Sequence, residues 1–279
     1  MAAATSLARL FDDQWAGWRQ TVLLCLVRPT RRQIHELRVR SRRLLALLAL
    51  VREVVDPPRK ASGRVQQAVE AVMDRLSPLR DAQNQRHRVA RTRPGTGLDG
   101  LRHRLERDER RLLRRARQAL EAGAAPRVIV AALRLREAIA SPPHAPRRGA
   151  RALRVANAVE AAAAGVRERL ARVDTAKPRT AHKLRIALKR LRDTVEVAER
   201  LSPALQVSGQ ATVRALQRRL GTAHDAEIML ELLERDLRRH GDSAGAGLDA
   251  LRTSLEAQRE RLMRGLPRAL RPLSRVLGA

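Results

Sequence analysis

The 279-residue sequence contains one cysteine, two tryptophans, one phenylalanine and no tyrosine. A single thiol, Cys25, excludes an internal disulfide and a cysteine-rich zinc site, and it suits a reducing compartment. The three aromatic residues, Phe11, Trp15 and Trp18, all lie near the N-terminus. So few rings argue against a stacking platform for single-stranded nucleic acid, and they leave the core to Leu, Ala and Val. The longest apolar runs, TVLLCLV and LLALLALV, fall well short of the ~20 apolar residues that a bilayer-spanning helix needs. The N-terminal stretch MAAATSLARLFDD lacks the long apolar centre of a signal peptide. A soluble, cytoplasmic protein is therefore expected. Acids are also scarce: Asp and Glu number 29 against 58 Lys and Arg, a formal net charge of +29. Self-repulsion on that scale opposes compaction unless a polyanion offsets it. Nucleic acid, inorganic polyphosphate and anionic membrane are the candidate partners. Membrane is the weakest of them, because the basic segments carry no interfacial Trp or Phe.

Hydrophobic residues make up 44% of the chain, enough for a folded core despite the charge. Helical periodicity runs through nearly every long segment, and no segment shows sustained alternation with β-branched residues. The pattern predicts helices at about 4–27, 30–55, 60–76, 79–91, 98–122, 125–140, 150–173, 179–201, 204–220, 222–239, 246–264 and 267–277. Turn chemistry marks the breaks at Pro57-Pro58, Arg93-Pro94-Gly95, Ala125-Pro126, Ser202-Pro203 and Gly241-Asp242. The stretch SPPHAPRRGA, residues 141–150, is the richest in proline and divides the chain into halves 1–145 and 146–279.

These halves repeat one another. IHELRVRSRR (residues 34–43) and AHKLRIALKRLR (residues 181–192) each place a histidine ahead of spaced cations. His35/His182, Leu37/Leu184, Arg38/Arg185, Arg42/Lys189, Arg43/Arg190, Leu44/Leu191 and Leu48/Val195 share one offset, 147 residues. A second block follows each first block: LSPLRDA at 76–82 aligns with LGTAHDA at 220–226, at an offset of 144. Order, offset and apolar register are kept together, which points to duplication. With about 100° per helical residue and His35 at zero, Arg38 falls at about −60°, Arg42 at about −20° and Arg43 at about 80°. Leu37, Leu44 and Leu48 gather on the opposite side. His182, Arg185, Lys189 and Arg190 repeat the cationic arc, and Arg192 widens it. A solvated face is the simpler reading of one basic helix. Duplication of the arc and the shortage of acids argue for a ligand instead.

A row of cations suits a chain of phosphates, since arginine offers a planar fork of donors to phosphate oxygens. A histidine beside phosphate gains proton affinity and becomes a donor. Asp81 and Asp225, read as lying near helix starts after Pro78 and Gly221, have two readings: a favourable helix-dipole position, or pairing with a nearby cation to orient it. His224-Asp225 also spells the HD pair of metal-dependent phosphohydrolases. The aligned Arg80-Asp81 is no metal pair, so no metal or other cofactor is expected. No glycine-rich phosphate loop, HExxH or nucleophile elbow is present.

The two signatures HELRVRSRR and HKLRIALKRLR, with LSPLRDA and LQRRLGTAHDAEIMLELL, resemble those of the conserved histidine α-helical domain (CHAD) family over roughly residues 14–277. The resemblance implies an all-α fold of two tandem, duplicated antiparallel helical bundles related by a pseudo-twofold, with a basic cavity between them that binds inorganic polyphosphate. It places His35, Arg38, Arg42 and Arg43 on that cavity from the first repeat (1–145), and His182, Arg185, Lys189, Arg190 and Arg192 from the second (146–279). It also implies an association with polyphosphate granules. The sequence departs from the family pattern at Leu45, Asp193, Ala187, Ser77 and Gln83. Members are often fused to a triphosphate tunnel domain with an ExExK motif, which this sequence lacks, so a stand-alone, non-catalytic binding module is expected. Two alternatives stay open: a nucleic-acid-binding basic helical protein and a metal-dependent phosphohydrolase.

Overall fold

The computed structural model describes residues 6–92, 98–141, 148–175, 177–205, 207–240 and 246–278. Among the described residues there are ten helices and no strand. They are α1 Leu7–Val27, α2 Arg31–Val55, α3 Arg59–Arg91, α4 Leu98–Gly123, α5 Pro126–Ala140, α6 Arg148–Ala171, α7 Pro178–Leu201, α8 Gln210–His240, α9 Ala246–Arg264 and α10 Leu266–Leu277. The fold is all-α, as the periodicity predicts.

Local chemistry sets several of the ends. Ser6 caps α1 by accepting from the Arg9 amide at 3.1 Å. Thr30 and Gln33 form a reciprocal capping box at the start of α2, which satisfies two otherwise orphaned donors. Pro126 occupies the first turn of α5, where its missing N–H costs nothing.

Two predicted breaks are absent. α3 continues through Pro78, and α8 continues through Gly221. An interior proline costs ~3 kcal/mol and an interior glycine ~1 kcal/mol relative to alanine. Burial on either side outweighs both: Leu76 and Leu79 flank Pro78 at 1% and 0% exposure, and Leu220 and Ala223 flank Gly221 in the same way. α8 also starts later than the pattern predicts, at Gln210 rather than about residue 204. Gly209 holds a left-handed φ of 78° just before it, which a glycine adopts without strain. A Cβ there would lie 2.3 Å from Val276 Cγ1.

The chain forms two compact units, neither a contiguous run of sequence. The predicted boundary at 145/146 lies outside the described residues. The first unit comprises residues 1–80, 112–164 and 190–207. There α1 packs on α2 and α5. Its core contains Phe11, Trp18, Ile34, Leu37, Leu44, Leu47, Val65, Leu76 and Leu120. All the chain's aromatic rings stack along α1, with centroids 6.5 Å apart for Phe11–Trp15 and 5.2 Å for Trp15–Trp18. The Trp18 indole donates to Ser41 Oγ at 2.9 Å. The second unit comprises residues 81–111, 165–189 and 208–279. There α8 packs on α9, and α10 packs on both. Its core contains Leu98, Leu101, Leu105, Met229, Leu233, Leu248 and Leu255.

Candidate functional site

In the first unit the α2 register follows the sequence pattern. Leu37, Leu44 and Leu48 are buried at 0%, 0% and 1% exposure. On the other side His35 is exposed, and Arg38, Arg42 and Arg43 are half-buried. Arg80 of α3 joins them. The proton affinity of His35 is lowered first by partial desolvation from the surrounding protein, then by Arg80 and Arg42, with Glu36 opposing and Arg38 adding a smaller effect. Arg38 donates to the Ser77 hydroxyl, which itself donates to the Met73 carbonyl at 2.8 Å.

Three predicted cations meet carboxylates in this unit. Arg42 Nε lies 3.2 Å from Asp193 Oδ2, and Arg192 donates to Asp193 Oδ1 at 2.9 Å. The Asp193 side chain is only 7% exposed. Arg43 pairs with Glu196. Asp193 therefore clamps Arg42 of α2 to Arg192 of α7, a use of this position that the family pattern does not suggest. Arg190 is exposed.

In the second unit His182 of α7 lies against His224 of α8, with ring centroids 4.6 Å apart and planes tilted by 52°. Arg185 and Lys189 stand close to both. His224 is pushed down to about 4, by burial first and then by Arg185, His182 and Lys189. His182 is lowered by burial, then by Arg185 and Lys189. Both rings are thus neutral at neutral pH. His224 Nδ1 lies 3.7 Å from Glu227 Oε2, too far for a hydrogen bond. Burial, then Glu231, raises the Glu227 carboxyl, while Arg259 opposes them. A cavity of about 260 Å³ opens beside the ring pair, lined by His182, His224, Glu227, Arg259, Glu260 and Met263 among others. Leu184 and Leu191 are buried at 0% and 4% exposure.

The two clusters match position by position. Arg80 and His224 share the 144-residue offset, and each stands beside its own signature histidine. Ser77 and Gly221 share it too. Gly221 faces Arg185, whose Nε would lie 4.0 Å from a Cβ built there. Ser77 faces Arg38, the counterpart of Arg185, and holds it through its hydroxyl. A small residue at this position leaves room for the signature arginine, and serine adds a hydrogen-bond partner.

Asp81 and Asp225 require a correction. Both sit inside long helices, at neither start, so the helix-dipole reading fails for each. Asp81 is half-buried and Asp225 is exposed. Among the described residues no group of three or more His, Cys, Asp or Glu side chains could hold a metal ion. Sequence reasoning missed Arg80 and the ion-pairing role of Asp193. The signal for Arg80 was the second repeat block itself, where it aligns with His224 directly before the aspartate.

Among the described residues, ten helices and two histidine-centred basic clusters define an all-helical protein. The sequence profile of the CHAD domain family matches residues 6–208, and the chain belongs to that family. No curated protein matches it. Among solved structures, the CHAD domain from the plant Ricinus communis is 21% identical with a TM-score of 0.71, the match covering 100% of this chain and 94% of that one. PptA from Streptomyces chartreusis is 16% identical with a TM-score of 0.68, covering 96% of this chain and 100% of that one. These likenesses concern the fold.

Proposed function

We propose that the chain binds inorganic polyphosphate through its two histidine-centred clusters and does not transform it. The observation that carries this reading is the crowding of like charge. His35 stands among Arg38, Arg42 and Arg80, and the His182–His224 pair stands beside Arg185 and Lys189. Each cation in such a cluster disfavours protonation of its histidine. A phosphate chain reverses that sign: it neutralises the cations, and the histidines gain protons and become donors. Arginine adds bidentate bonds to phosphate oxygens. Membership of the CHAD family supports the choice of polyphosphate among polyanions. We further propose that the clusters descend from a tandem duplication with repeats 1–145 and 146–279, and that the protein works in the cytoplasm on polyphosphate granules.

The test is a competition series at physiological salt, with labelled long-chain polyphosphate displaced by triphosphate, tRNA and duplex DNA. Polyphosphate is expected to win by at least about tenfold over each, because a long chain engages several cations at once. Arg38→Gln and Arg185→Gln should each weaken polyphosphate roughly 10- to 100-fold, matching ~1.5–3 kcal/mol for a charge-assisted hydrogen bond. Wild-type affinity in either variant would remove that cluster from the site, and equal affinity for triphosphate would overturn the reading of an extended chain.

A further inference from the structure

The second unit carries a third cationic arc, beyond the residues that the family profile matches. In α10, Arg268, Arg271 and Arg275 recur at the spacing of His35, Arg38 and Arg42. Taking Arg268 as zero, they fall at about 0°, −60° and −20°. Leu266 and Leu273 point the other way and are fully buried. The setting differs from that of α2 and α7, because all three arginines are exposed. Arg261 and Arg264 at the end of α9 are exposed as well. Glu260, which accepts from Arg264, is the last acid in the sequence. Residues 208–224, which begin the α8 helix packed on α10, contain no acid either.

The joint between α9 and α10 is fixed. Arg219 of α8 donates to the Leu262 carbonyl from Nε at 3.0 Å and from Nη2 at 2.7 Å. A Cβ on Gly265 would lie 2.2 Å from Arg219 Nη2, so glycine is what lets the guanidinium lie against the backbone. The arginines on both sides of the joint are therefore displayed on a held scaffold.

We infer that the exposed arginine face of α10, continued by Arg261 and Arg264, binds the phosphate backbone of a nucleic-acid duplex. Charge complementarity selects a polyanion, and the shape of the surface selects a stiff one. A flexible single chain laid along an exposed helix loses its conformational freedom for contacts on one side only. A duplex is already ordered, with a persistence length of about 150 base pairs, and presents one charge per about 1.7 Å of axis. The three α10 arginines span about 10 Å of helix, so several phosphates face them at once. No aromatic residue occurs in α8, α9 or α10, so bases are not read by stacking and the binding is independent of sequence.

The experiment measures anisotropy of a labelled 25-base-pair DNA duplex against salt, in parallel with labelled long-chain polyphosphate. The variants are Arg268→Gln/Arg271→Gln/Arg275→Gln and a control of equal charge loss, Arg59→Gln/Arg64→Gln/Arg75→Gln, at exposed positions of α3. Circular dichroism verifies helicity in both. The α10 variant should lose roughly tenfold or more in duplex affinity at 100 mM salt, and its log–log salt slope should fall by about 2 to 3, near 0.9 per lost phosphate contact. Its polyphosphate affinity and the duplex affinity of the control should stay within about twofold of the unchanged chain. An unchanged duplex slope in the α10 variant, an equal loss in the control, or a loss confined to polyphosphate would each overturn the inference.

Discussion

Asp193 shows what a single side chain does in a chain this basic. It is buried, and it holds Arg42 and Arg192 together. Removing one partner of such a pair leaves uncompensated charge in a medium of low dielectric. Asp193→Ala should therefore cost about 3–5 kcal/mol, read from urea unfolding midpoints, and Arg42→Met in the same background should restore part of the loss. A cost no larger than that of an exposed pair would show the clamp to be incidental. His224 gives the second residue-scale prediction. Its pKa falls from 6.5 unfolded to about 4 folded. The unfolded chain then binds more protons between those values, so stability is full above pH 6.5 and declines as pH falls towards 4. His182 and His35 shift in the same direction and add to the slope. His224→Gln should flatten the decline, and saturating polyphosphate should oppose it by favouring the protonated rings. An identical pH–stability curve for His224→Gln would reject this origin. The signature histidines and arginines were legible because their spacing repeats. Asp193 was not, since one acid in a basic stretch gives no periodic signal and its role depends on an ion pair between α7 and α2.

At the scale of elements, periodicity located most helices, and it failed where local propensity and burial conflict. Pro78 and Gly221 are the two weakest helix formers in their segments, yet the apolar residues around them are buried in register on both sides. Tertiary packing overrides propensity there, and no sequence rule supplies the partner surface. The continuity of α3 makes a prediction of unusual sign. Pro78 is exposed, so Pro78→Ala restores an amide donor without opening a cavity. It should stabilise the protein by ~1–3 kcal/mol, measured by chemical denaturation. A loss of stability would mean that the proline ring is required by the packing of Leu76 and Leu79. Leu37→Ala and Leu184→Ala, on the buried stripes, should each cost about 2–5 kcal/mol, whereas a loss of ligand affinity without loss of stability would place these leucines on the wrong face.

For the molecule as a whole, the charge of +29 is the dominant fact. The ion pairs of the described residues are mostly exposed pairs within one helix, such as Arg117–Glu121 and Arg264–Glu260, each worth little. They leave most of the repulsion in place. Raising salt screens that repulsion over a Debye length of about 10 Å at 0.1 M. The thermal midpoint of the unliganded protein should therefore rise with ionic strength, and rise further with polyphosphate at the same ionic strength. A midpoint that falls with salt would show that attractive pairs outweigh the net charge. The order and offset of the two repeated blocks were legible at this scale. The composition of the compact units was not, because each gathers segments that are distant in sequence.

The stacked rings of α1 have a practical consequence for anyone who follows this protein by light. Both indoles, Trp15 and Trp18, belong to the first unit, and tyrosine is absent. Intrinsic emission and near-ultraviolet dichroism are thus blind to α8, α9 and α10. If the second unit opens first, the optical signal stays flat while amide exchange there accelerates. A disagreement between fluorescence and exchange would then report stepwise opening rather than a faulty measurement. A tryptophan placed at Leu232, partly buried beside the second core, would give that unit a voice of its own.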